Sequence, residues 1–543
     1  MLTLYERRKA MKHFNTQQKM MAAILTGALA VSAITACSIA SSNTSDIPDS
    51  SEAQPQTEKA STEITNAFSD NDLDAGYDES EAQTITLNGT SASSDSSSVK
   101  INGSVITIKD KGTYVISGKL DDGYIVVDAG DSDDIKLVFK DADITSSDYA
   151  ALYCLNADNV YITLADGTTN VLTSSGEFDS KDSNSVDGAI FAKTDIAING
   201  SGSLEVNSTD HGIVGKDDIT ITGGDITINA ASDGIQANDS VSVKDAVIDI
   251  TCGKDGIQAE NEKDLTKGYV YISSGEITIA AGDDGITASS SLQIDDGTIN
   301  VTGSYEGLEG QNLTINGGTI SIVSSDDGIN AVSATGSGDM MRTDGVSSIT
   351  INGGEISIRA EGDGVDSNGS MEMTGGTLIV MGPTIGANGS LDAAGNAVIT
   401  GGTVIMAGSS GMATNFTDAT QGSILLTVGN QTAGSEITVT DTSGKVILNA
   451  TADCSYQTVL VSSPDLEENG TYTITAGTYS ETITLSGFIY GSGSGFGGGM
   501  PGGGMPDGGF PGDMPSGDFP GDMPDGDFPQ GGPGANGGNQ RPN

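Results

Sequence analysis

The stretch Asp233-Gly234-Ile235-Gln236-Ala237-Asn238-Asp239-Ser240-Val241-Ser242-Val243-Lys244-Asp245-Ala246-Val247-Ile248-Asp249-Ile250-Thr251-Cys252-Gly253-Lys254-Asp255-Gly256-Ile257 decides the fold. It opens and closes on the same phrase: an acid, a glycine and an aliphatic residue. Between the two phrases lie three short runs, residues 234–237, 240–243 and 246–250, in which apolar residues alternate with small or polar ones. Period-two alternation marks strands with one buried face, and the Asn, Asp, Ser and Gly between the runs mark turns.

The phrase recurs at Asp187-Gly188-Ala189, Asp210-His211-Gly212-Ile213, Asp284-Gly285-Ile286, Glu306-Gly307-Leu308, Asp327-Gly328-Ile329 and Asp363-Gly364-Val365. From Gly188 to Gly364 the glycine spacings are 24, 22, 22, 29, 22, 21 and 36. A repeated period of this size means a solenoid. The two long spacings are one coil plus an insertion, at residues 260–268 and 332–345, and both insertions follow the first strand of their coil. Loops that grow from one point of a solenoid mark one edge, often the binding edge.

Three strands per coil of about 22 residues predict a triangular coil, stacked at about 4.8 Å so that each face is a parallel sheet. The expected class is all-β, a right-handed parallel β-helix. Hexapeptide helices need shorter units, and a β-sandwich would need hairpins. Residues 84–186 show the same texture with looser spacing, as in Val105-Ile106-Thr107-Ile108, so the β-helix is expected over 84–409. Longer runs at residues 423–428, 457–461, 470–474 and 481–485 predict a small antiparallel β cap over 410–490 that covers the last open edge.

Composition agrees with a narrow coil. The chain has 76 Gly, no Trp and 5% aromatics, which suits a thin core. Acidic residues number 74 against 23 basic, giving a formal charge of −51. That balance argues against a nucleic-acid partner, which needs clustered Lys and Arg. The charge either keeps a long surface soluble or is offset by bound divalent cations.

Residues 1–37 read as a lipoprotein signal peptide: Arg7, Arg8, Lys9, Lys12 and Lys19 precede an apolar stretch from Met20 to Ala36. Its end, Ile34-Thr35-Ala36-Cys37, resembles the bacterial lipobox, which implies lipidation at Cys37; an ordinary cleaved signal is the alternative. No later segment is apolar enough to span a membrane, so the expected location is extracytoplasmic, with the membrane touched through the lipid anchor alone. Residues 38–83 read as a disordered tether and 491–543 as a disordered Gly/Pro/Met/Asp-rich tail. Cys154, Cys252 and Cys454 are too scattered for a disulfide framework. A monomer is expected.

Several phrases resemble a known family. They are Lys111-Gly112-Thr113-Tyr114-Val115-Ile116-Ser117-Gly118, Asn159-Val160-Tyr161-Ile162-Thr163-Leu164-Ala165, the Ile-Asn-Gly-Gly repeats and Val461-Ser462-Ser463-Pro464-Asp465-Leu466. Together they resemble the secreted bacterial calcium-binding β-helix proteins, pectate-lyase-like in fold and taken to bind cellulose and polygalacturonate. The resemblance covers roughly residues 84–486 and implies a carbohydrate ligand. Its motifs are structural and carry over no ligand residue.

Stacking turns the repeat into rows. The acids before each Gly form one row: Asp233, Asp255, Asp284, Glu306, Asp327 and Asp363. The residues after each Ile, Leu or Val form a second, outward row: Gln236, Gln258, Thr287, Glu309, Asn330 and Asp366. Asp283 and Asp326 double the first row. Carboxylates about 5 Å apart in adjacent coils repel unless protonated or bridged. Ca²⁺ takes six to eight oxygens of this kind. The candidate metal ligands are therefore Asp283, Asp284, Glu306, Glu309, Asp326, Asp327, Asn330, Asp363 and Asp366. From Asp187 to Asp255 the plainer reading is favoured, that Asp-Gly makes the turn.

No catalytic residue is assigned. His211 is the one His of the mature chain and reads as a turn residue, so a Ser-His-Asp mechanism has no support. Paired carboxylates would suffice for a hydrolase. A lyase would need a Lys or Arg base; Lys254 should sit near Asp233 and Asp283, where an ion pair is the simpler role. No Tyr recurs at the coil period, so a flat aromatic strip for neutral polysaccharide is not expected. The reading is a calcium-dependent, non-catalytic binder of acidic polysaccharide. A calcium-dependent lyase or hydrolase, or an adhesin, is the alternative.

Overall fold

Alternation along each short strand buries one side chain in two. Val247–Cys252 and Glu355–Ala360 place every second residue in the core and the intervening ones outward. A strand this short has no stability alone and must stack. The computed structural model describes residues 64–491 except 66, 182, 262, 265 and 334–342. The signal peptide with Cys37, the tail from 492 onward and most of the second insertion lie outside these residues.

The coils stack as a parallel β-helix with three faces, and thirty-nine strands join in one continuous sheet. On the third face Leu204, Ile226, Ile248, Ile277, Ile299, Ile320, Ile356, Leu378 and Val404 form one aliphatic ladder in register. On the first face Ile235, Ile257, Ile286, Leu308, Ile329 and Val365 form another. All are essentially buried, each contributing about 1.5–3 kcal/mol of apolar burial. The repeat glycine is required by close approach. A Cβ on Gly256 would lie 2.5 Å from both the Gly285 carbonyl oxygen and Ile279 Cγ2.

On the third face parallel stacking ends where Thr403–Gly408 pairs antiparallel with Tyr456–Ser463, which also pairs antiparallel with Gly422–Gln431. A separate four-stranded antiparallel sheet, residues 436–484, packs a second core around Ile437, Val439, Ile474 and Leu485.

The stretch from 64 to 82, expected to belong to a disordered tether, is instead strapped along the outside of the second face. Ile64 N–H donates to Gln293 Oε1 at 2.8 Å, and Phe68 packs on Tyr271 with ring centroids 5.7 Å apart. Asn199 Nδ2 donates to the carbonyls of Asp72 and Asp74, and Thr222 Oγ1 to that of Asp72. Lys136 Nζ donates to the carbonyls of Asp74 and Gly76, both at 2.8 Å. The strap's backbone carbonyls give the face's polar side chains their acceptors.

Candidate functional site: the outward row of the first face

The longer connections meet the first face's strands. Residues 260–268 and 332–347 lie between its strands and those of the second face, and residues 175–187 lie between the third face and its strand Gly188–Ala192. Its outward row runs in register through Val126, Tyr153, Phe191, Val214, Gln236, Gln258, Thr287, Glu309, Asn330, Asp366 and Asp392. It therefore changes from apolar through amide to acidic along the helix axis.

The acids before the glycines are wired to the backbone. Asp255 N–H donates to Asp233 Oδ1 at 3.1 Å, Asp284 N–H to Asp255 Oδ1 at 3.0 Å and Glu306 N–H to Asp284 Oδ1 at 3.1 Å. Asp363 N–H donates to Asp327 Oδ1 at 2.5 Å. Each carboxylate thus holds the turn of the next coil, a structural role that the Asp-Gly phrase alone only half reveals.

The other oxygen of each acid meets the outward row, and here the two halves differ. In the first half the partner is neutral or cationic. His211 Nδ1 lies 2.9 Å from Asp233 Oδ2, Gln236 Nε2 donates to Asp233 Oδ2 at 3.1 Å, and Gln258 Nε2 donates to Asp255 Oδ2 at 2.6 Å. At Glu309 and at Asp366 the partner is another acid. Ligand oxygens within 4.8 Å of one another bring together Asp255, Asp283 and Asp284; then Asp284, Glu306 and Glu309; then Asp327, Asp363 and Asp366. Asn330 stands between the last two groups. Its Nδ2 donates to Glu306 Oε2 at 2.8 Å and Glu309 Oε2 at 3.3 Å. Its Oδ1 is buried with no hydrogen-bond partner.

Burial, followed by the charges of Glu309 and Asp255, pushes the Asp284 carboxyl up to about 7. Burial with the charges of Asp327 and Asp392 pushes Asp366 up to about 7, and burial with Asp327 pushes Asp363 up to about 8. Glu306 is also raised, by burial and then by Glu309. Carboxyls shifted this way are crowded acids short of a counter-charge. Every donor in the three groups is a carboxylate, with the Asn330 amide beside them and neither His nor Cys among them. That set fits a hard cation such as Ca²⁺.

The residues named from the sequence fall into two places rather than one. Asp326 belongs to none of the three groups, although its Oδ1 lies beside Asp327 Oδ1 against Gly362 and its charge helps to raise Asp327 and Asp366. Asp255, read as a turn residue, joins Asp283 and Asp284. Asp392 was missed; it stacks on Asp366, but its coil carries Gly389-Ser390 where the others carry Asp-Gly, so an alignment on that phrase passes over it.

Residues 102–345 match the model of a family described as carbohydrate-binding domain-containing protein. A curated relative of the same description, from Acetivibrio thermocellus, is 39% identical over 126 residues, which are 23% of this chain and 44% of the relative. The chain thus spans less than half the length of that relative. A solved structure described as the polysaccharide lyase-like protein from C. thermocellum, in a gadolinium derivative, is 34% identical, with a TM-score of 0.39 over 44% of this chain and 92% of the other. The coils of residues 102–345 therefore carry the match to a carbohydrate-binding family model.

Proposed function

We propose that this chain is a calcium-dependent, non-catalytic binder of acidic polysaccharide of the polygalacturonate type, held outside the cytoplasm by a lipid on Cys37. The observation that carries the reading is the buried Asn330 Oδ1, left without a partner between two groups of crowded carboxylates. A cation there would supply the missing charge and share its coordination with a uronate carboxylate. Without one, a protein of charge −51 repels a polyanion. Asp283, Asp284, Glu306, Glu309, Asp327, Asn330, Asp363 and Asp366 would hold metal, with Asp326 at the rim.

A lyase would need a base beside the uronate. Arg359 is engaged by Glu361 at 2.7 Å, by Asp453 at 3.7 Å and by the Met381 carbonyl at 3.1 Å. Its strand lies on the third face, away from the row. In the organisation proposed here, signal and tether precede Ile64, the antiparallel unit caps the helix, the tail beyond residue 491 is a spacer, and the protein is a monomer.

Affinity electrophoresis in polygalacturonate tests the reading. Asp327→Ala with Asp363→Ala should abolish calcium-dependent retardation, while Asp187→Ala should leave it intact. Retardation of the double variant equal to wild type would place the site elsewhere. Cys37→Ser should abolish lipid labelling; unchanged labelling would remove the anchor from the proposal.

A further inference from the structure

The outward row begins in different chemistry from where it ends. Around Tyr153 and Phe191, the rings of Tyr124, Tyr149, Tyr153 and Phe191 form a chain with successive centroids 5.2, 5.6 and 5.8 Å apart, within the range that aromatic pairs prefer. No single coil period relates them, because the loop at residues 175–187 lengthens the coil between Tyr153 and Phe191. At the same junction one coil later, Thr209 and Asp210 alone connect Ser203–Ser208 to His211–Gly215.

The long loop folds back over the rings. Asn184 Nδ2 donates to the Tyr153 hydroxyl at 2.7 Å, and Val186 and Phe178 pack against the cluster. Beside the rings it leaves a cavity of about 140 Å³, lined chiefly by Tyr149, Phe178, Asp179, Lys181, Ser185 and Val186. Lys181 Nζ lies 4.9 and 5.1 Å from the ring centroids of Tyr124 and Tyr149 and pairs with Asp148 at 2.6 Å. The pocket therefore has an aromatic wall and a rim that offers donors and acceptors together.

The geometry points to a second, metal-independent glycan subsite in this pocket, one that takes a single neutral pyranose ring as a chain end or a side branch. An aromatic wall with a few polar groups is how small-ligand sites fix an amphipathic ring. Sugar hydroxyls both donate and accept, which matches the mixed rim of Lys181, Asp179 and Ser185. A uronate or phosphate fits poorly, because Asp148 and Asp179 repel it and Lys181 already has a carboxylate partner. The cavity's size suits one ring, not the face of an extended chain. The inference rests on the glycan-binding reading of this face, but not on its metal.

The test is saturation-transfer NMR in EDTA with the methyl pyranosides of glucose, galactose, mannose and xylose, and with sodium galacturonate. At least one methyl glycoside should receive saturation from the wild-type protein, at least tenfold more than galacturonate receives. The signal should fall at least tenfold in both Phe178→Ala and Lys181→Met. Absence of saturation for all four glycosides, an equal signal for galacturonate, or persistence in either variant overturns the proposal. The same variants are run on polygalacturonate gels in calcium, where retardation equal to wild type is expected. A failed pocket and a failed metal edge are therefore read separately.

Discussion

At Asn330 one side chain separates two ways of filling the same row. Gln236 and Gln258 use their amides to satisfy the acids beside them. Asn330 satisfies Glu306 and Glu309 with its nitrogen and leaves its oxygen over. A hard cation takes such an oxygen readily. Replacing Asn330 with Ala should weaken calcium binding about tenfold, or about 1.4 kcal/mol, measured by calorimetric titration; undiminished affinity would remove Asn330 from the site. The repeat glycine makes a different demand. Gly256→Ala forces a methyl group against the Gly285 carbonyl and Ile279. Overpacking of this kind costs about 1–3 kcal/mol, so its denaturant midpoint should drop with the slope unchanged.

The strap shows at the level of the element how a polar segment becomes ordered. It forms no sheet and has one four-residue helix, Asp70–Leu73, capped by Ser69 and Asp72. Its order comes from the face beneath, where Asn199, Thr222 and Lys136 reach its carbonyls. Deleting residues 64–80 should leave the far-ultraviolet spectrum of the β-helix in place. It should lower stability by about 3 kcal/mol, at about 1 kcal/mol net for each of the three hydrogen bonds lost by the buried Asn199 and half-buried Thr222. A deletion variant as stable as the full chain would show the strap to be decoration.

For the whole molecule, crowded carboxylates link stability to both pH and calcium. Asp284, Asp363 and Asp366 have folded values of about 7, 8 and 7, whereas an unfolded Asp titrates near pH 4. Between those limits the folded state binds more protons than the unfolded one, so stability falls as pH rises. In chelator the melting temperature should be lower at pH 8 than at pH 5. Calcium holds these groups ionised, so it should stabilise more at pH 8, by about 2.7 kcal/mol per site at 100-fold excess over its dissociation constant. Melting curves indifferent to chelator at both pH values would sink the metal reading. Salt should weaken polygalacturonate retention only in part, because coordinated charge is screened less than exposed charge.

The coil, its faces and the members of the outward row from Gln236 to Asp366 were legible in the sequence, because period-two alternation and a constant stacking register fix which side chains share a row. The doubled acids at 283–284 and 326–327 were legible too, but not that Asp255 joins Asp283 and Asp284. Rotation within a turn is settled by neighbours, not by position in the repeat. Asp392 lies where the repeat phrase lapses, and the aromatic cluster is assembled across a coil of irregular length. The strap brings Ile64 to Gln293, 229 positions away. Such contacts carry no local period; they depend on what the stacked coils leave uncovered, and that exists only once the tertiary structure has formed.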